Sequence, residues 1–552
     1  GVTPATLRRI WLAEAAVLGI AGGILGILLG WAAAQLAVRG VAQTVDALYG
    51  AATAQPAHLR LDDALIGLAL GLGAALMAGL WPAARAAATP PAQLLGRGRL
   101  ESGPLVLRRP WLGLALLGLG AALATLPPLS LGEGYRFPLA GYGAAIAWIV
   151  GASLVTAAAL PVLGWLLTPL RRIGPITAVL HGRLRRPTGR HRFATAGLVV
   201  AVGMAAGMTL LIHSFEGTMR AWISQALQGD LYVASAGATS ASSRHRLSPD
   251  TLASLSADPA VRATAAVAMH PIRLAGGETV LVGADRDSEV SSQIWIVPPP
   301  PGIHLLSADG AVAPVWASEA FTVRFGKGVG ALLDVPTPYG PRPAIITAVF
   351  ADYGNERGSL LADRAIVADW FNSPEVSRAA FMLHPGHDAE VVRQRWLQAY
   401  PGLEVRTQGG LRAEVLRVFR QTFSITWALQ ALGMAVAVAG LGLALVAILN
   451  ESRADLTTLR ALGFHRRQLA RVTQAEGVAL AALGTAGGLL LALLLGGLLV
   501  HVINRQSFGW TLQYLVPWHL LAAGSTLLLL LAGLVAAAIG RWSADLPADR
   551  EE

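Results

Sequence analysis

Apolar and polar positions segregate along this chain into long blocks. Eight apolar runs, at about 14–37, 63–86, 111–128, 139–167, 194–214, 427–450, 475–503 and 517–540, are near or above the roughly 20 residues that cross a bilayer. Short polar segments separate them, except after the fifth run, where about 214–426 changes to shorter periods. There Ser248, Pro249 and Asp250 read as a helix cap opening a helix through Leu252 and Leu255. Thr279–Val282, Ala344–Phe350, Ala365–Val367 and Ala380–Leu383 read as strands. Asp388–Tyr400 reads as an amphipathic helix with Val391, Val392 and Trp396 inward, and Pro298–Pro301 as a stiff loop. At the borders, Phe215–Leu227 continues the fifth run as amphipathic helix, and Leu411, Val415, Val418, Phe419 and Phe423 lead into the sixth without a breaker. The pattern predicts an α-helical polytopic membrane protein of about eight transmembrane helices, with one mixed α/β domain on a helical stalk. A stiff stalk carries motion between membrane and domain, whereas a flexible linker does not.

Composition agrees. Of 552 residues 54% are hydrophobic and 14% charged, with mean hydropathy +0.53, against about 25% charged in soluble domains. The net charge of +10 rests on arginine, since Lys327 is the only lysine. Those arginines lie in alternate short loops: Arg8 and Arg9; Arg85 to Arg109; Arg171 to Arg192; Arg453 to Arg471; and Arg541. This is the pattern of cytoplasmic loops, not of a nucleic-acid surface. It places both chain termini inside and 214–426 outside. No cysteine is present, which excludes disulfides and thiolate chemistry and names no compartment.

The chain also repeats itself. Gly1, Leu7, Arg9, Ala13, Glu14, Leu18, Gly22 and Gly26 recur as Gly463, Leu469, Arg471, Ala475, Glu476, Leu480, Gly484 and Gly488, at a constant offset of 462 positions. Repeats that begin basic and then enter the membrane mark two-lobed membrane proteins. Because the first copy opens mid-motif on a glycine, the sequence reads as lacking its true N-terminus.

Candidate chemistry is sparse. A phosphate-binding loop needs Lys followed by Ser or Thr, and Lys327 is followed by Gly328. The twelve histidines have no HxxxH or HExxH spacing. Asp352–Gly358, the densest polar cluster outside, reads as a tight turn with paired flanks, and His213 as an interfacial aromatic. The spans lack central charge, which disfavours ion-coupled transport. Glu14 and Glu476 are expected at cytoplasmic helix ends, stabilised there by the macrodipole by about 0.3–1 kcal/mol. The segment Glu451–Gly463 has apolar residues at Leu456, Leu459 and Leu462 with charge on its other faces, then a basic tail through Arg467 and Arg471. It suits either anionic lipid or a cytoplasmic partner.

At these residues the chain resembles a known family. Glu451–Arg471 with Glu476 and its glycines, Gly1–Gly30, and the exit from Trp81 through Thr89 to Leu95 are similar to the FtsX-like permease domain. Val315–Ala320, Gly328–Gly330 and Ala348–Phe350 are similar to MacB-type periplasmic domains. Two such units around two extra spans resemble the ten-helix, YbbP-like permeases of bacterial ABC transporters. The resemblance implies four segments: a partial first unit at 1–95, two extra spans with an Arg-rich loop at 96–193, stalk and periplasmic domain at 194–426, and a second unit at 427–552. It implies a permease subunit of the bacterial inner membrane that binds no cofactor itself. ATP and Mg would be held by separate, paired cytoplasmic ATPases, whose hydrolysis moves the periplasmic domain and so exports or extracts a hydrophobic, lipid, lipoprotein or peptide substrate. Carried over by position, Leu459, Arg460, Leu462, Gly463 and Arg467 would dock one ATPase, and Gly1, Leu7 and Arg9 would remain from the other docking element. The alternative is a mechanotransmitter that activates a periplasmic hydrolase without transport. A membrane enzyme with the outer domain as its catalytic part is a third reading, for which no paired acid and base residues are visible. The exit at Ala536–Ser543 lacks the Thr-Pro-Pro tail of the first copy, which leaves docking of the second unit open.

Overall fold

A computed structural model describes residues 3–49, 59–88, 109–130, 136–236, 246–285, 293–300, 312–355, 357–451 and 458–545. Contacts divide the chain into two units, 1–103 with 418–432, and 104–417 with 433–552. The first unit holds α1 (Pro4–Tyr49) and α2 (Leu61–Ala88), which pack as a hairpin. Small residues set their spacing: a Cβ on Gly19 would lie 2.7 Å from Ala75, and one on Gly79 would lie 2.9 Å from Ala15.

The second unit begins with α3 (Pro110–Ala124), a short hairpin of β1 (Leu129–Ser130) and β2 (Arg136–Phe137), and α4 (Leu139–Ala158). The run expected as one span at 139–167 breaks at Ala159, because Pro161 starts a new helix, α5 (Leu160–Leu166). α6 (Pro175–Arg185) follows on one side of the membrane region, then α7 (Gly189–Ala226). At 38 residues, α7 is about 57 Å long, nearly twice the bilayer core. It therefore runs on out of the membrane, as the unbroken pattern through Phe215–Leu227 predicts.

The α/β domain comes next. Its elements are β3 (Leu231–Ser235), α8 (Pro249–Ser256), β4 (Val261–Leu274), β5 (Gly277–Ala284), β6 (Trp295–Val297), β7 (Ala313–Ser318), α9 (Glu319–Phe325), β8 (Leu332–Val335), β9 (Arg342–Phe350), β10 (Ser359–Asp363), α10 (Arg364–Phe371), β11 (Arg378–Leu383), α11 (Ala389–Ala399) and β12 (Leu403–Thr407). They form one mixed ten-stranded sheet in the order β12-β3-β11-β4-β5-β10-β7-β9-β6, with β8 on β9. Ser248 caps α8, accepting from Thr251 N at 3.2 Å, as its sequence suggests. Two expectations fail. Ala365–Val367 is helix and not strand, because Asp363 caps it by accepting from Ala365 N at 2.8 Å and buries Val367 and Trp370 one turn apart. In α11 Val392 and Trp396 are buried, but Val391 is 65% exposed. One core gathers Leu231, Phe381 and Trp396; a second gathers Phe321, Ile346 and Trp370.

The chain leaves the domain through α12 (Gln408–Glu451), a 44-residue helix returning to the membrane. Side chains 418–432, and with them Val418, Phe419 and Phe423, lie outside the described residues. Entry and exit are tied together: β3 and β12 are antiparallel neighbours with Leu231 opposite Thr407, and Gln408 N donates to Asp230 O at 3.0 Å. Both stalk helices therefore meet the domain at one point.

Then come α13 (Arg466–Leu498), a π-helical turn at Leu499–Ile503, α14 (Asn504–Phe508) and α15 (Trp518–Asp545). α13 packs face to face with α7 because Gly484 and Gly488 admit Leu198 and Val202. Among the described residues six helices are long and apolar enough to cross a membrane, and Pro110–Ala124 and Gly433–Ile448 are shorter apolar helices. These eight segments coincide with the eight apolar runs. The protein is a polytopic, membrane-embedded helical protein carrying one α/β domain on a stalk.

Candidate functional site: a capped turn, a buried ion cluster and an outer clamp

Residues 458–461 form a helical turn that stops at Gly463. Gly463 N donates to Arg460 O at 2.9 Å and Phe464 N to Leu459 O at 3.0 Å, with Gly463 at φ +91°. This is the Schellman stop, which needs a left-handed residue and so favours glycine. Two residues on, His465 starts α13 with a capping box, its N–H donating to the Gln468 side chain at 2.8 Å. Leu459, Arg460, Leu462, Gly463 and Arg467 are thereby held on one rigid corner. Leu462 is 73% exposed, Arg467 is exposed, and Leu459 and Arg460 are half-buried. Gly1 lies outside the described residues. Leu7 is half-buried and Arg9 exposed in the first turns of α1.

Glu476 overturns its expected role. It is the eleventh residue of α13, about three turns from the helix end, where the dipole has faded. Its side chain is 1% exposed and ion-paired. Arg183 of α6 donates to Oε2 at 2.7 Å. His191 of α7 bonds Oε1 through Nε2 at 2.6 Å. The other ring nitrogen, Nδ1, accepts from Thr188 N at 3.2 Å, which leaves Nε2 as the donor to the carboxylate. One carboxylate thus pins three helices near the start of the second copy of the repeat. Nearby Arg192 donates to Ala157 O at 3.0 Å, and Arg190 to Ala447 O, drawing in α4 and α12. In the first copy Glu14 is exposed.

The opposite end of α13 carries a second fastening. Residues 509–517, between α14 and α15, run extended beside the stalk and under the domain. Glu319 at the start of α9 accepts from Thr511 N at 2.8 Å and from Thr511 Oγ1 at 2.6 Å. Tyr353 OH donates to Thr511 O at 2.9 Å. Ser214 and Thr218 of α7 accept from Leu515 N at 3.0 Å and Gln513 N at 2.9 Å. Trp510 is flanked by Phe508 and Tyr353, and Tyr353 meets Trp222 edge-on. Gly509, at φ +76°, lets this backbone approach Ala320. Burial raises the Tyr353 hydroxyl to about 12, with the Glu319 charge adding to the shift. The Asp352 cluster is the expected turn: its carboxylate accepts from Ser359 Oγ at 2.6 Å and Gly354 N at 3.0 Å, and burial pushes it up.

The family model of the FtsX-like permease C-terminal domain matches residues 1–91 and again 427–543. The two ends of the chain are similar to FtsX-like permease domains. The match coincides with the internal repeat and covers both basic entries to the membrane. The chain is also 28% identical, over 99% of its length, to an uncharacterized ABC transporter permease protein of Mycobacterium tuberculosis. It spans 64% of the length of that relative. Among solved structures, the periplasmic region of MacB from Actinobacillus actinomycetemcomitans aligns with 35% of this chain and 95% of its own, at TM-score 0.26 and 13% identity. The extracellular domain of the noncanonic ABC-type transporter YknZ from Gram-positive bacteria aligns with 32% and 99%, at TM-score 0.24 and 11% identity.

Proposed function

We propose that this FtsX-like chain is the permease part of a bacterial inner-membrane ABC transporter that turns ATP hydrolysis by separate cytoplasmic ATPases into movement of its α/β domain. Residues 1–552 hold no phosphate-binding loop, and in this reading the energy enters through a separate subunit. Leu459, Arg460, Leu462, Gly463 and Arg467 form the docking corner, and Leu7 and Arg9 belong to its counterpart in the first unit. In this reading the termini and arginine-rich loops are cytoplasmic and 214–426 is extracytoplasmic.

The observation that carries the reading is continuity. The docking corner is capped directly onto α13; α13 is pinned by Glu476 at one end and its outer loop is bonded to Glu319 at the other. Displacement of the corner is therefore transmitted by packed helices and not by a linker. The cargo belongs to the hydrophobic, lipid, lipoprotein or peptide classes.

The test is ATP turnover by the co-reconstituted ATPase in nanodiscs, with wild-type permease against Arg460→Glu. The expected result is turnover that requires the permease and falls in the variant. Equal turnover with both permeases removes docking at this corner. Turnover that depends on the corner, with a periplasmic hydrolase activated and nothing transported, selects the signalling alternative.

A further inference from the structure

A cleft of about 860 Å³ opens where the α/β domain faces the membrane region, within the range typical of small-molecule sites. Its upper wall is the β4–β5 turn at Gly276–Gly277, the end of α9 and Arg357; its lower wall is Arg136 of β2 and Gln506–Gly509. Four arginines line it, Arg136, Arg273, Arg324 and Arg357, against a single carboxylate, Glu278. That carboxylate is already shared, 3.1 Å from Arg273 and 3.0 Å from Arg357. Arg324 Nε is buried without a hydrogen-bond partner, and Arg136 forms no ion pair among the described residues. The cleft thus holds an excess of guanidinium donors, which match tetrahedral oxyanions in charge and geometry.

Its height in the protein selects the source of the anion. Gln506–Gly509 ends the long apolar segment Arg466–Phe508, and Arg136 stands three residues before α4 enters the apolar region. The floor therefore lies at the headgroup level. Apolar rings are exposed at the same level, with Phe508 at 47% and Phe137 at 43%. A free anion has no use for such rings, whereas an acyl chain packs on them.

We propose that this cleft binds the phosphate headgroup of an anionic lipid, held by Arg136 from the membrane side and Arg324 from the domain side. A lipid seated there bridges the two walls and couples domain position to lipid composition. The proposal requires that the apolar helices span the bilayer; it does not require ATPase docking.

The test is calorimetric titration of the detergent-purified chain with dioctanoyl phosphatidylglycerol, dioctanoyl phosphatidylcholine and inorganic phosphate. Saturable binding of phosphatidylglycerol is expected, tighter than that of the other two. Arg136→Gln with Arg324→Gln should weaken it about ten-fold or more, the effect of losing charge-assisted bonds. Ser507→Asp, which adds a carboxylate at an exposed position of the cleft lip, should weaken it without disturbing the core, and Arg220→Gln on the stalk should leave it unchanged. Unaltered binding in a double variant that melts like wild type overturns the site, and so does Ser507→Asp without effect. Inorganic phosphate binding as tightly as the lipid, or equal binding of phosphatidylcholine, overturns an anionic lipid as the ligand.

Discussion

Replacing Glu476 by Gln should destabilise the membrane region far more than the same change at Glu14, its repeat counterpart. The two positions share a sequence context, but Glu476 is 1% exposed between Arg183 and His191, and Glu14 is exposed. Removing one member of a buried ion pair leaves the other charge without compensation and costs about 3–5 kcal/mol. Two features hold this case near about 3 kcal/mol. The Arg183 side chain keeps 14% exposure, so water relieves part of its charge. The amide oxygen of glutamine also still accepts from His191 Nε2. The measurement is thermal unfolding in detergent, followed by tryptophan fluorescence. Glu476→Gln should melt several degrees lower, and Glu14→Gln should match wild type. Arg183→Gln alone should also destabilise, but added to Glu476→Gln it should cost little more, because the charge it removes has already lost its partner. Equal melting of the two Glu variants, or full additivity with Arg183→Gln, would refute the cluster as a fastening.

Gly463→Ala should cost about 1–2 kcal/mol, the strain of a side chain at φ +91°; thermal melting checks the cost, and Gly463→Pro, which also loses the N–H bond to Arg460 O, should abolish ATPase stimulation. Glu319→Gln keeps one acceptor oxygen where two are used by Thr511, so about 1.5–3 kcal/mol of charge-assisted bonding is lost; hydrogen exchange at 509–516 should rise while that of the sheet stays unchanged. His270 stacks on Phe371 at 4.0 Å, and burial, with the Arg246 charge second, pushes its imidazole down to about 4. Between pH 6.5 and about 4 the unfolded chain takes up this proton and the folded domain does not. This contribution to stability is therefore full above pH 6.5 and falls as pH drops toward 4, and His270→Gln should flatten that acid-side slope in pH-dependent melting.

Periodicity along the chain exposes the spans, the stalk and the domain helices α8 and α11 because each depends on neighbours within a few turns. Ala365–Val367 misleads because a β-branched run suits a strand, whereas the cap at Asp363 and Trp370 at helical spacing decide for a helix. Glu476 shows a different limit. Its role depends on Arg183 and His191, 293 and 285 positions away, inside a segment whose arginines read simply as cytoplasmic loop charge. Likewise Glu319 and Thr511 are 192 positions apart, and nothing local to either marks the bond. Gly463 is the opposite case, since glycine after a short amphipathic turn signals a helix stop before any contact is known.

The glycines of the repeat separate sequence likeness from structural role. Gly484 and Gly488 sit where a Cβ would lie 2.6 Å from Leu198 and from Val202, so in the second unit they are the seat on which α7 rests. Gly22 and Gly26, their counterparts, face no neighbour within the first unit, whose helix pair instead closes through Gly19, Gly23 and Gly71. A common motif thus supplies a smooth helix face twice, and among the described residues a stalk helix lies on the second copy. The same division applies to Glu476 and Glu14. Within the described residues, the features that can transmit displacement are concentrated in the second unit: the capped corner, the pinned α13, the stalk on its glycine face and the loop fastened under the domain. A change that loosens any one of them, while the others hold, should uncouple the domain from the capped corner at Gly463 without unfolding either.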